Sequence, residues 1–229
     1  MNLSERVVIV SHGDSVVGRA ICGALSIAGA HAVPVRFGQD VEPEDPQSWR
    51  NFLGTLPSDD VFGLVMSFGD SEYGTLTEQD PDEFAAAVRR HATPFFAASN
   101  AIIPLMVTGG KGSIVSIVSG FTDRPRKGYA AYLSAHATVR MLSKSIAVDF
   151  AAAGIRSNIL LAGGIDCAPL PPGMDRETML KGLRAKIPLG QTVSAQDIAA
   201  SVKFLMSDAA SFMHGAELPL DGALRLANP

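Results

Sequence analysis

The chain has 229 residues, 47% of them apolar, and a formal net charge of −4. That length suits one α/β domain able to bury its core without a disulfide or metal staple. The mild acidity, with no run of Lys or Arg to offset it, excludes a nucleic-acid surface. Cys22 and Cys167, the only cysteines, are spaced neither as metal ligands nor as a redox pair and suit a reducing compartment. Residues 1–6 are polar and the apolar run after them is short, unlike a signal peptide. The longest apolar stretch, 95–107, is interrupted by Asn100 and Pro104 and is too short to span a bilayer. A soluble, cytoplasmic protein is expected.

Strand-like and helix-like patterns alternate along the whole chain. Residues 6–11 (RVVIVS) form a short β-branched run suited to a strand buried on both faces. Residues 17–29 carry small and apolar side chains at helical spacing and stop at a glycine. Residues 31–37 (HAVPVRF) predict a second strand that Pro34 confines to an edge, an end or a bulge. Residues 63–68 and 113–118 repeat the buried-strand pattern, with a long helix between them over about 81–107. A further helix covers 129–153, a strand 156–161, and a last helix 195–206 after Ser194, a good N-cap. The stretch 166–188 is rich in Pro and Gly and reads either as a mobile lid or as a plain surface connection. Strands alternating with helices imply a doubly wound parallel sheet in a single domain over 1–229.

Several phrases then align with one family. Ser119 ends the segment GSIVSIVSG, and Tyr132 follows it by thirteen residues. Downstream come the phrase GIRSN, a Gly-Gly turn and the tail DIAASVKFLMSDAASFMHGAELPLDGA. From about residue 6 to 226 the chain resembles the short-chain dehydrogenase/reductases. The resemblance implies a Rossmann-like α/β fold, a nicotinamide cofactor and a small carbonyl substrate.

The cofactor motifs depart from the family pattern. The glycine-rich turn of the family reads Thr-Gly-x-x-x-Gly-x-Gly, its glycines letting a pyrophosphate approach the helix start. Here the turn runs from Ser11 to Gly18, with His12 and Val16 in place of two glycines and only Gly18 matching. Gly13 offers a turn shifted by one residue, but Asp14 puts a carboxylate beside any anion. Between the second strand and Asp40-Val41 roughly one βα unit is missing, which trims the adenosine side. Arg36 stands near the position that selects the ribose. It reads as a 2′-phosphate ligand favouring NADP over NAD, or as a surface arginine ending a strand. Met66-Ser67-Phe68-Gly69 replaces Asn-Asn-Ala-Gly, with Gly69 alone retained; Met66 and Phe68 read as core packing. The expected cofactor state is none or weak NADP(H), with Ser11, Gly13, Gly18, Arg36, Asp40 and Gly69 as the binding residues if any binding survives.

The catalytic row of the family is Ser, Tyr, a Lys four residues after the Tyr, and an Asn in the long helix. Ser119 and Tyr132 match the first two. His136 occupies the lysine position, one helical turn beyond Tyr132 on the same face, and His91 occupies the Asn position. A neutral imidazole does not lower a phenol pKa as a cation does, so Tyr132 is expected near its reference of ~10. His136 reads either as a base near neutral pH or as a satisfied structural histidine, and so does His91. A metal site built from His12, His91 and His136 has no ligand spacing of a known kind, so no metal is expected.

The groups lost serve the dinucleotide, whereas the two that touch substrate oxygen remain. The leading expectation is therefore an atypical enzyme that polarises a carbonyl through Ser119 and Tyr132 and runs redox-neutral chemistry: enolisation, dehydration or cyclisation. The alternatives are an NADP(H)-dependent ketoreductase with divergent motifs and a non-catalytic partner protein. Leu170, Pro171, Pro172 and Met174 suggest an apolar ligand. The resemblance also implies a homodimer or homotetramer formed through the two long helices.

Overall fold

The computed structural model describes residues 3–57, 60–67, 69, 73–168, 170 and 173–227. Phe68, Pro171 and Pro172, singled out above, lie outside the described residues. Six strands, β1 (Val7–Ser11), β2 (His31–Val35), β3 (Val61–Met66), β4 (Gly112–Ser119), β5 (Ile155–Ala162) and β6 (Glu217–Leu220), form one parallel sheet in the order β2-β1-β3-β4-β5-β6. The usual doubly wound order places one more strand outside β2. Here β2 is the edge, which is where the missing βα unit would have sat. Pro34 is tolerated there because its missing N–H faces no further strand.

Six α-helices cover the two faces: α1 (Val16–Ile27), α2 (Pro46–Leu53), α3 (Pro81–Thr108), α4 (Ala130–Asp149), α5 (Arg176–Lys186) and α6 (Ala195–Met206). Side chains alternate along each strand, so the sheet feeds two cores. Ile9 faces the core of Trp49, Phe95, Ile102, Met106 and Val139, while Val8 and Val10 face that of Ile21, Leu25, Ile198 and Val202.

Local chemistry explains the helix limits. Asp80 and Glu83 close a capping box on α3 with Pro81 in its first turn, and Ser194 and Asp197 do the same for α6. Gly154 turns the chain from α4 into β5 at φ +74°, where a β-carbon would meet the Gly110 carbonyl oxygen at 2.7 Å. The phrase GIRSN is a stitching device. Arg156 donates to the Leu205 carbonyl at 2.8 Å, and Asn158 accepts from Ala216 N–H at 3.0 Å while donating to the Met213 carbonyl at 2.9 Å. These bonds fasten the end of α6 and the approach to β6 onto β5.

The chain also holds elements that the sequence pattern did not predict, β6 among them. Within the 166–188 stretch, Asp175 caps the helix α5 by accepting from Thr178 N–H at 2.9 Å. The segment after β2 holds α2, capped by Asp45 with Pro46 at its start, an eight-residue element too short for its periodicity to stand out.

Candidate active site

Ser119 ends β4, and Tyr132 and His136 rise from the first two turns of α4 beside it. His91 comes from the middle of α3. The structure brings these four side chains together. The ring centroids of Tyr132 and His136 lie 4.2 Å apart, those of His91 and His136 5.0 Å, and those of His91 and Tyr132 5.4 Å. His91 and His136 are both buried.

The backbone N–H of Ser119 donates to His136 Nδ1 at 2.9 Å. A neutral imidazole that accepts at Nδ1 carries its hydrogen on Nε2, so this bond sets the tautomer. Burial holds the His136 pKa well below the usual histidine value, and the neighbouring His91 lowers it further. A neutral ring with its Nδ1 lone pair engaged is not the near-neutral base that the sequence allowed, and that reading is corrected. For Tyr132, burial pushes the phenol up to about 12, and a hydrogen bond with Ser119 opposes the shift only in part. The expectation of a pKa near 10 is thus also corrected: desolvation, which the sequence does not display, raises it.

Ser119, Tyr132 and His136 line a pocket, with His91 behind them. Ile117, Leu133, Ile165, Ala168, Met179 and Leu183 give it apolar walls, and Phe121, Arg126 and Tyr129 also line it. Met179 and Leu183 belong to α5, so this helix walls the pocket. Arg126 and α5 escaped the sequence reading, although three cations within Arg124–Lys127, between Ser119 and Tyr132, were a usable signal.

The cofactor-motif residues lie at the C-terminal ends of β1, β2 and β3, where a doubly wound sheet opens its crevice. Ser11 and Ser67 tie the ends of the neighbouring strands β1 and β3 together. The Ser67 N–H donates to Ser11 Oγ at 2.9 Å, and Ser11 Oγ donates to the Ser67 carbonyl at 3.2 Å. His12 adopts φ +49°, a conformation natural to the glycine it replaces, and its ring packs 4.5 Å from that of Phe37. On the other side, a β-carbon on Gly69 would stand 3.8 Å from His12 Nε2. The imidazole therefore stands between Phe37 and the neighbourhood of Gly69.

Gly13 packs on β2, where a β-carbon would meet Pro34 Cβ at 2.2 Å. Arg36 is engaged by Asp40 through two bonds of 2.7 and 3.0 Å, so the cation expected to favour NADP already has a carboxylate. The start of α1 is kept: Ser15 caps it, accepting from Gly18 N–H at 2.9 Å, and Gly18 lies too close to the His12 carbonyl for any side chain. Val16 projects exposed from its first position. In this crevice the His12 ring packs on Phe37, Arg36 is paired with Asp40, and His136 stands where the family has a lysine. Among the described residues no group of His, Cys, Asp and Glu could hold a metal ion. No helix among them is long and apolar enough to cross a membrane.

The family model described as enoyl-(acyl carrier protein) reductase matches residues 17–224. The chain belongs to the short-chain dehydrogenase/reductase family. It is similar to a 2,5-dichloro-2,5-cyclohexadiene-1,4-diol dehydrogenase of Sphingobium indicum, 29% identical over 94% of this chain and 84% of that protein. It is 30% identical to a trans-4-hydroxycyclohexanecarboxylate dehydrogenase of Sinomonas cyclohexanicum over 100% of this chain and 90% of the relative. Among solved structures, a ligand-free aldohexose dehydrogenase of Thermoplasma acidophilum superposes with a TM-score of 0.90 at 25% identity, covering 99% of this chain and 96% of that one. A gluconate 5-dehydrogenase of Burkholderia cenocepacia, in complex with NADP and tartrate, shares the fold at 22% identity and a TM-score of 0.85, with 99% and 98% covered. The named relatives are thus oxidoreductases.

Proposed function

We propose that this chain is an enzyme acting on the carbonyl oxygen of a small molecule, with Ser119 and Tyr132 hydrogen-bonding that oxygen and Tyr132 supplying it with a proton. The observation that carries the reading is the Tyr132 phenol, hydrogen-bonded with Ser119 in an apolar pocket and raised to about 12. Such a phenol keeps its proton at neutral pH, so it serves as a donor to an oxygen gaining negative charge and not as a ready base. His136 is a positioning residue that braces the Ser119 backbone. His91, in ring contact with Tyr132 and His136, is assigned the share of proton uptake.

Redox-neutral chemistry is the favoured route in this reading, because His136 replaces the lysine of the family and Arg36 is held by Asp40. Enolisation and dehydration place the difficult charge on an oxygen, where this site has its donors. A second reading, NADP(H)-dependent carbonyl reduction, is favoured by the family: the named relatives are dehydrogenases, and the helix start at Ser15 and Gly18 is retained. Fluorescence titration with NADPH, with NADH as control, separates the two. Binding in the micromolar range, followed by ketone-dependent oxidation of the cofactor, would establish the reductase. Absence of binding at millimolar nucleotide, with deuterium exchange at the α-carbon of a ketone that Tyr132→Phe abolishes, would establish the redox-neutral enzyme.

A further inference from the structure

Beside the active-site pocket lies a second cleft, lined by Phe121, Arg124, Arg126, Lys127, Tyr129 and Lys186 together with Pro125, Leu224 and Ala227. Four of these residues are cationic and none is acidic, in a chain whose net charge is −4. Phe121, Arg126 and Tyr129 line both spaces, so the cleft and the pocket meet at these side chains.

Arg126 is the hinge of this arrangement. Its guanidinium carbon lies over the Phe121 ring, 3.8 Å from the centroid, a contact that holds the cation without using up its N–H donors. Among the described residues it has no carboxylate partner. The nearest acid in sequence, Asp123, is held by Arg140 at 2.8 Å. Arg126 is partly buried, and the loss of water lowers its pKa. A desolvated cation without a counter-ion is costly, and an incoming anion relieves that cost. Lys186 adds to the pattern. Met179, Leu183 and Lys186 succeed one another at helical spacing along α5, the first two over the pocket and the third at the cleft.

We propose that the substrate carries an anionic group, a carboxylate or phosphate, several bonds from its carbonyl, and that Arg126 with the adjoining basic cleft is the specificity site that binds it. The inference rests on the carbonyl reading above and gives its substrate class. The carbonyl lies against Ser119 and Tyr132, an apolar segment runs under Met179 and Leu183, and the anion meets Arg126 at the junction.

The test is ligand-observed saturation-transfer NMR and titration with matched pairs. The probes are levulinate and its longer straight-chain homologues beside their methyl esters, and the corresponding keto-alkyl phosphates beside the keto alcohols. The charged member of at least one pair is expected to bind on the order of tenfold or more tightly. Arg126→Gln should remove that gap, and Arg126→Lys should keep much of it. The carboxylate and phosphate arms show which anion is preferred. Equal binding of charged and neutral partners, a gap unchanged by Arg126→Gln, or no saturation transfer from any anion overturns the proposal. Tyr132→Phe separates this inference from the reading it rests on: it should weaken both members of a pair and leave the gap. A gap that survives with no effect of Tyr132→Phe would sink the carbonyl chemistry and leave the anion seat standing. Tyr132-dependent binding with no gap would do the reverse.

Discussion

The Ser119 N–H bonded to His136 Nδ1 at 2.9 Å joins the strand that carries the serine to the helix that carries the tyrosine. The bond requires an unprotonated Nδ1, so the site is built around a neutral imidazole where its relatives' motif has a lysine. His136 takes up a proton more readily in the unfolded chain, near the reference of about 6.5, than in the folded protein, where its pKa is depressed. The stability it contributes is therefore complete above that pH and is lost as pH falls from there towards the folded pKa, by at most about 1.4 kcal/mol per pH unit. Urea unfolding at a series of pH values should show this acid-side slope, and His136→Gln should flatten it. Nitrogen-detected NMR should find the ring neutral, with hydrogen on Nε2, down to well below pH 6.5. A ring that titrates normally would remove the basis for calling His136 a positioning residue.

Tyr132 should ionise only at strongly alkaline pH. Ultraviolet titration of the folded protein is expected to show one phenol ionising only near pH 12, and Tyr132→Phe should delete that step. If the phenol is the proton donor, Tyr132→Phe lowers turnover by roughly 10²- to 10⁴-fold. The wild-type rate should then show no alkaline decline attributable to this group until pH approaches its pKa.

His12 offers a direct check on the crevice. Replacing it with Gly or with Ala removes the same contact with Phe37, but only Gly is at ease at φ +49°. His12→Gly should be more stable than His12→Ala by about 1 kcal/mol in denaturant unfolding. If the imidazole is what fills the dinucleotide site, the combination His12→Gly, Val16→Gly and His136→Lys should bind NADPH more tightly than the wild type. No gain would mean that the lost βα unit, and not the plug, excludes the nucleotide.

Five of the strands and four of the helices were legible because their cause is local: β-branched runs, helical spacing of apolar residues, Ser194 as a cap, and Pro34 confining β2 to an edge, an end or a bulge. The grouping of Ser119, Tyr132, His136 and His91 was legible only through a family pattern, since His91 is far from the others in sequence. What the sequence withheld was environment. Nothing in the order of residues shows that Tyr132 is desolvated, that Asp40 already holds Arg36, or that the His12 ring spans to Gly69. Arg126 was missed for the same reason, because its lack of a carboxylate partner among the described residues is a fact of three dimensions.

The loop after Ser119 is held from outside the pocket. Arg140 on α4 donates to Glu217 on β6 at 2.7 and 3.0 Å, to Thr122 Oγ1 at 2.9 Å, and pairs with Asp123 at 2.8 Å. Lys144 adds a second cation to Glu217 at 2.7 Å. Hydrogen bonds from Arg140, followed by those from Lys144, hold the Glu217 carboxyl below its usual value. The stability this carboxylate contributes is present above its unfolded pKa and falls away as pH drops through the lower, folded one. Both ends of the Arg140–Glu217 pair are partly shielded from solvent and the contact is bidentate, so it should exceed an exposed ion pair. Glu217→Gln is expected to cost about 1–2 kcal/mol in urea unfolding. Arg140→Met should cost more, because it also releases Asp123 and Thr122 and so loosens the turn that carries Phe121 beneath Arg126. The discriminating measurement is amide exchange over residues 120–124. Faster exchange there in Arg140→Met than in Glu217→Gln would mean that the loop is anchored chiefly through Asp123 and Thr122. Equal exchange would place the anchor in β6.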